Sequence, residues 1–182
     1  MDKFELKSEQ SVLMIIDIQE RLVPVMEYRD QVIRNAKILV SAAQKLGIPV
    51  IVTEQYPKGL GKTVKEISDV LGAFQAFEKT SFSACTPEVV SELAKLGRKK
   101  VIVCGMETHV CVFQTVRDLL RDGYQVFVVK DAVCSRTQEN YQNGLYLMSE
   151  MGAVITNTET VLFDLLKRAG TPLFKELSKL IK

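Results

Sequence analysis

The chain has 182 residues, of which 47% are hydrophobic and 25% charged, with a net charge of +2, one histidine and four cysteines. That length and composition suit one soluble α/β-sized domain, residues 1–182, and argue against disorder. Lys and Arg are scattered rather than clustered, so nucleic acid is not an expected partner, and no apolar run approaches the roughly 20 residues that cross a bilayer, so neither is a membrane.

The first residues are polar and charged where a signal peptide would be apolar, which reads as a cytoplasmic protein. Residues 12–16 then form a short apolar run of strand type. A helical period follows over 29–46, a second strand-like run over 50–53, and an irregular loop over 56–63 that contains Pro57, Gly59 and Gly61. A third strand is expected at 73–77 and a helix at 87–96, with Thr86 as its N-cap, Pro87 at its first position and Gly97 closing it. The pattern continues with a strand at 101–104, a helix at 108–122, a strand at 126–129, a helix at 139–151 and a strand at 153–156. Helices at 158–169 and, shorter, 174–181 complete it. Strands that alternate with helices build βαβ units, and runs of β-branched residues without polar alternation suit strands covered on both faces, so a mostly parallel sheet is predicted.

In open sheets of this kind, ligands bind beyond the carboxyl ends of the strands. Three reactive groups fall there. Asp17 follows the first run, Lys79 follows the third, and Cys111 follows the fourth, with Thr108 placed to cap the helix that carries it. A thiol in a first helical turn near a lysine is expected to ionise readily, because unpaired N–H groups and positive charge stabilise the thiolate. Asp17 is suited to take and return its proton. On position alone each residue has an ordinary reading as well: a buried core cysteine, a capping aspartate, a solvated lysine. The cysteines show neither a CxxC pair nor metal-ligand spacing, and a single histidine excludes Cys/His zinc clusters, so free thiols and no metal are expected.

Four segments carry a family resemblance: LMIIDIQ at 13–19, FEKTSFSA at 77–84, VCGMETHVCV at 103–112 and VKDA at 129–132, extended by GLYLMSEMGAVIT at 144–156. Together they resemble the isochorismatase-like cysteine hydrolase superfamily over roughly residues 10–165, which includes nicotinamidases and N-carbamoylsarcosine amidohydrolases. The resemblance implies a three-layer α/β/α fold whose six-stranded parallel sheet has an order near 3-2-1-4-5-6. It implies that Asp17 transfers protons, Lys79 supplies positive charge and Cys111 is the nucleophile. It also implies a cis peptide between Met106 and Glu107, with the N–H groups of Glu107 and Cys111 forming an oxyanion hole, and it makes a homo-oligomer the expected state.

Two departures narrow the chemistry. Nicotinamidases hold a metal through one Asp and two His residues after the second strand, where this chain has TEQYPKGLG at 53–61 and no histidine; no metal or other cofactor is expected. Isochorismatases that cleave a vinyl ether resemble this chain at Asp17 and Lys79 but usually lack the cysteine, so Cys111 points to hydrolysis of a small amide, carbamoyl or related C–N bond. A weakly active binding or assembly protein and vinyl-ether hydrolysis remain the alternatives. Gln19, Gln55, Tyr56 and Phe82 follow strands at the same edge and are candidate substrate contacts. His109, two positions before Cys111, should point about 200° away from the thiol on a regular helix.

Overall fold

A computed structural model describes residues 2–182. The first strand, β1 (Ser11–Ile16), is buried throughout, as a run without polar alternation requires. It leads into α1 (Arg29–Lys45), which buries Val32, Ala36, Leu39, Val40 and Ala43 at helical spacing. Next come β2 (Val50–Gln55), a single turn α2 (Pro57–Leu60), α3 (Lys65–Leu71) and β3 (Phe77–Lys79). The second half comprises α4 (Pro87–Leu96), β4 (Lys100–Met106), a π-helical turn at Thr108–Val112, α5 (Phe113–Arg121) and β5 (Gln125–Cys134). It ends with α6 (Gln138–Glu150), β6 (Val154–Thr156), α7 (Thr158–Leu166) and α8 (Pro172–Leu177).

The strands form one sheet in the order β3-β2-β1-β4-β5-β6, every adjacent pair parallel. This is the architecture expected from the sequence. One apolar core packs Leu13, Ile15, Ile102 and Phe127 against α1, α3 and α7. The other packs Met14, Ile16, Val103 and Val128 against α4, α5 and α6. Chain order reverses at β1, between β2 and β4, so the carboxyl ends of these strands form the crevice where such sheets bind ligands.

Several boundaries differ from expectation. The third strand is Phe77–Lys79 rather than 73–77, because its polar residues pair with the end of β2, Thr53 opposite Phe77 and Gln55 opposite Lys79. The predicted helix at 108–122 is two pieces, a π-helical turn and then α5. α3 was not anticipated: it buries only Ile67 and Leu71, too few residues to mark a helical period. β5 runs on to Cys134, well past 129. Gly105 explains a local constraint, since at φ +128° a β-carbon there would run into the Ile16 carbonyl of the neighbouring strand.

Candidate active site

Asp17 leaves the end of β1 in a left-handed conformation, φ 54°, which an Asp tolerates better than most side chains. Its carboxylate is fully buried. One oxygen accepts a hydrogen bond from Thr53 Oγ1 at 2.7 Å, and the other faces Lys79 Nζ at 2.7 Å. Lys79 ends β3, and its side chain is 1% exposed. Its ammonium also reaches Gln55 Oε1 at 2.7 Å and the carbonyls of Ser81 and Phe82 at 3.2 and 3.0 Å. Four acceptors thus surround three N–H donors, the degree of satisfaction that a buried ion pair needs to persist.

Cys111 lies in the π-helical turn, 6% exposed, and its carbonyl accepts a 2.6 Å hydrogen bond from Thr115 Oγ1. Burial, followed by the negative charge of Asp17, pushes its thiol up to about 12 against the opposing pull of Lys79. This direction is opposite to the readily ionised thiol expected from the sequence, because burial and the Asp17 charge act against ionisation where Lys79 favours it. The cap itself is corrected. Glu107 occupies the capping position without a side-chain hydrogen bond to the turn, and Thr108 Oγ1 is buried with no partner among the described residues.

The Met106–Glu107 peptide is cis. The Glu107 carbonyl accepts hydrogen bonds from the N–H groups of Val110 and Val112 at 3.1 and 3.2 Å. Its carboxylate accepts from the backbone N–H and Nε of Arg136 at 3.1 and 3.0 Å. His109 Nδ1 lies 3.0 Å from Ser135 Oγ, a contact that turns the ring toward the end of β5.

The remaining candidates separate into two groups. Gln19 is fully buried; it donates to the carbonyls of Gln55 and Gly61 at 2.9 and 2.8 Å and accepts from the Gln55 N–H at 2.7 Å. These bonds tie the end of β2 to the loop at Gly61. Gln55 joins Lys79 to the Thr80 carbonyl, the latter at 2.8 Å. Tyr56 and Phe82 are each 54% exposed, and Tyr56 borders a cavity of about 340 Å³ that also touches Glu78 and Lys79. A larger groove of about 420 Å³ between α1 and α3 shares none of these residues. Sequence reasoning missed Thr53 and Arg136. Thr53 was detectable in principle as the polar end of an apolar strand, whereas Arg136 gave no signal, because its partner lies 29 residues away in the chain.

A model of the isochorismatase domain matches residues 11–160. The chain is 42% identical over 173 residues to isochorismatase domain-containing protein 1 of Danio rerio, covering 94% of this chain and 61% of that protein. The chain therefore spans about three fifths of that relative's length. It is 45% identical to the secreted isochorismatase effector Isc1 of Phytophthora sojae, covering 94% of this chain and 84% of that protein. Among solved structures, the MAR1 ribonuclease of Caenorhabditis elegans superposes with a TM-score of 0.92 at 40% identity, covering 97% of this chain and 92% of that one.

Proposed function

The chain belongs to the isochorismatase family, and from that premise we propose that it is a cysteine-nucleophile hydrolase of a small amide, carbamoyl or related C–N bond. The observation that carries the reading is the buried Asp17–Lys79 pair beside Cys111, whose thiol is kept protonated partly by the Asp17 charge. A neutral thiol next to a carboxylate is a nucleophile with its general base in place.

The proposed reaction begins as the Cys111 sulfur attacks the substrate carbonyl carbon while its proton passes to Asp17. The N–H groups of Glu107 and Cys111 hold the resulting oxyanion. The C–N bond then breaks, the amine leaves with the proton from Asp17, and a thioester remains. Asp17 next takes a proton from water, the hydroxide adds to the thioester, and the C–S bond breaks as Asp17 returns the proton to sulfur. Lys79 keeps a positive charge beside Asp17 throughout. The scheme uses no metal, and the last residues of β2 are already engaged: Glu54 is held by Thr63 and Lys62, and Gln55 by Lys79.

A cytoplasmic protein that self-associates and acts on a small molecule completes the proposal. Among the described residues no helix is long and apolar enough to cross a membrane. The Danio rerio relative is longer than this chain, and the Phytophthora sojae relative is named as secreted. The test is a screen of small amides, ureas and carbamoyl compounds with wild type against Cys111→Ala. Turnover by wild type alone supports the proposal; equal turnover by a folded Cys111→Ala protein rejects it. RNA belongs in the same screen because of the name carried by the Caenorhabditis elegans structure, and cleavage of RNA that survives Cys111→Ala would replace the present reading.

A further inference from the structure

Glu107 raises an electrostatic difficulty at the proposed oxyanion hole. Its N–H is assigned to a developing negative charge, yet the same residue carries a carboxylate with only 11% of its side chain exposed. A largely buried carboxylate next to a forming oxyanion and thiolate would oppose the reaction unless compensated. The compensation comes from β5. Two steps along β4, from Val103 to Gly105, correspond to five along β5, from Val128 to Val133. This irregularity brings Cys134 opposite Met106, so that the next residues fall beside Glu107. Arg136 then supplies both its backbone N–H and its Nε to one Glu107 oxygen. Ser135 secures the same segment: its hydroxyl meets His109, and its carbonyl accepts from the Glu27 N–H at 3.1 Å.

We propose that Arg136 is a positioning residue for the nucleophile turn, neutralising the Glu107 carboxylate and fixing Glu107 at its start so that negative charge can develop at Cys111. The inference rests on the hydrolase reading only in taking Cys111 as the reacting group. The charged groups acting on the Cys111 sulfur are Asp17, Lys79 and Glu107, and the first and last both disfavour its ionisation. Lys79 is committed to Asp17, which leaves Arg136 as the cation bound to Glu107.

The test needs no substrate. Carbamidomethylation of Cys111 by iodoacetamide is followed by peptide mass spectrometry at one pH in wild type, Arg136→Met, Arg136→Lys and the Glu107→Gln/Arg136→Met double variant. Circular dichroism and thermal unfolding check the fold, and Arg136→Gln is run beside Arg136→Met in case the latter does not fold. Arg136→Met is expected to slow labelling on the order of tenfold, the effect of one uncompensated, partly buried charge. Arg136→Lys should keep most of the wild-type rate, and the double variant should recover it. A merely structural role predicts the opposite sign, because loosening the turn exposes the sulfur and speeds labelling. Wild-type or faster labelling in folded Arg136→Met, or no recovery in the double variant, overturns the inference alone. If, in the substrate screen, folded Cys111→Ala turns over substrate as fast as wild type, the hydrolase reading falls and the inference with it.

Discussion

Lys79 and Asp17 are each sealed from water and each is the other's paired counter-charge, so the two charges stand or fall together. Removing one leaves the other buried without its counter-charge, which costs about 3–5 kcal/mol. Lys79→Met should therefore lower the unfolding free energy by that amount in a denaturant titration, and a loss under about 1 kcal/mol would show that water reaches Asp17. Cys111 carries no comparable structural burden. Cys111→Ala should remain folded while turnover on any substrate found by screening falls by about a thousandfold or more. Thr53 acts on the same carboxylate through one 2.7 Å hydrogen bond. Thr53→Val keeps the shape and leaves that oxygen unpaired, so a kcat lowered about tenfold with little change in KM is expected from a carboxylate that is no longer held in place.

At the level of elements, the site depends on how closely β4 runs beside β1. Gly105 is the residue that permits it, because any side chain there meets the Ile16 carbonyl and an unfavourable positive φ together. Gly105→Ala should cost about 3 kcal/mol or more and should shift both Asp17, one residue after Ile16, and the turn that begins after Met106. Expression of a folded Gly105→Ala protein with wild-type thermal stability would contradict this. The helix behind the turn is constrained in the same way: Gly144 of α6 approaches the backbone of Thr108 and His109, where an added β-carbon would lie 3.0 Å away. The π-helical turn is thus held by a glycine on α6 from one direction and by Ser135 and Arg136 from another.

For the molecule as a whole, the unusual property is that all four thiols are pushed up by burial, Cys104, Cys111 and Cys134 to about 12 and Cys85 to about 11, from an ordinary value of 9.0. The unfolded chain loses these protons at lower pH than the folded one. Their contribution to stability is therefore complete below pH 9 and disappears as pH rises toward the folded values. The urea midpoint should fall as pH rises from about 9 toward about 11, and Cys104→Ala should flatten that decline; a midpoint independent of pH would refute it.

Much of this molecule could be read from the chain alone. The apolar runs without polar alternation predicted a parallel sheet, and the strand order expected from the family motifs is the observed one. Asp17, Lys79 and Cys111 stood out because strand ends and a helix start are visible as local patterns. Sequence also determined what the site lacks, since a single histidine restricts the chemistry wherever it lies. Only the tertiary structure supplied the surroundings that bear on the Cys111 thiol. Proximity to a lysine and a helix start suggested a thiolate; the fold spends the lysine on Asp17, removes water from Cys111 and sets two carboxylates near it. It likewise buried Gln19 against the Gln55 backbone and brought Arg136 to Glu107. Local pattern is enough to locate a strand end, but the charge state of a buried group is set by desolvation and by neighbours far along the chain, and those exist only once the sheet has formed.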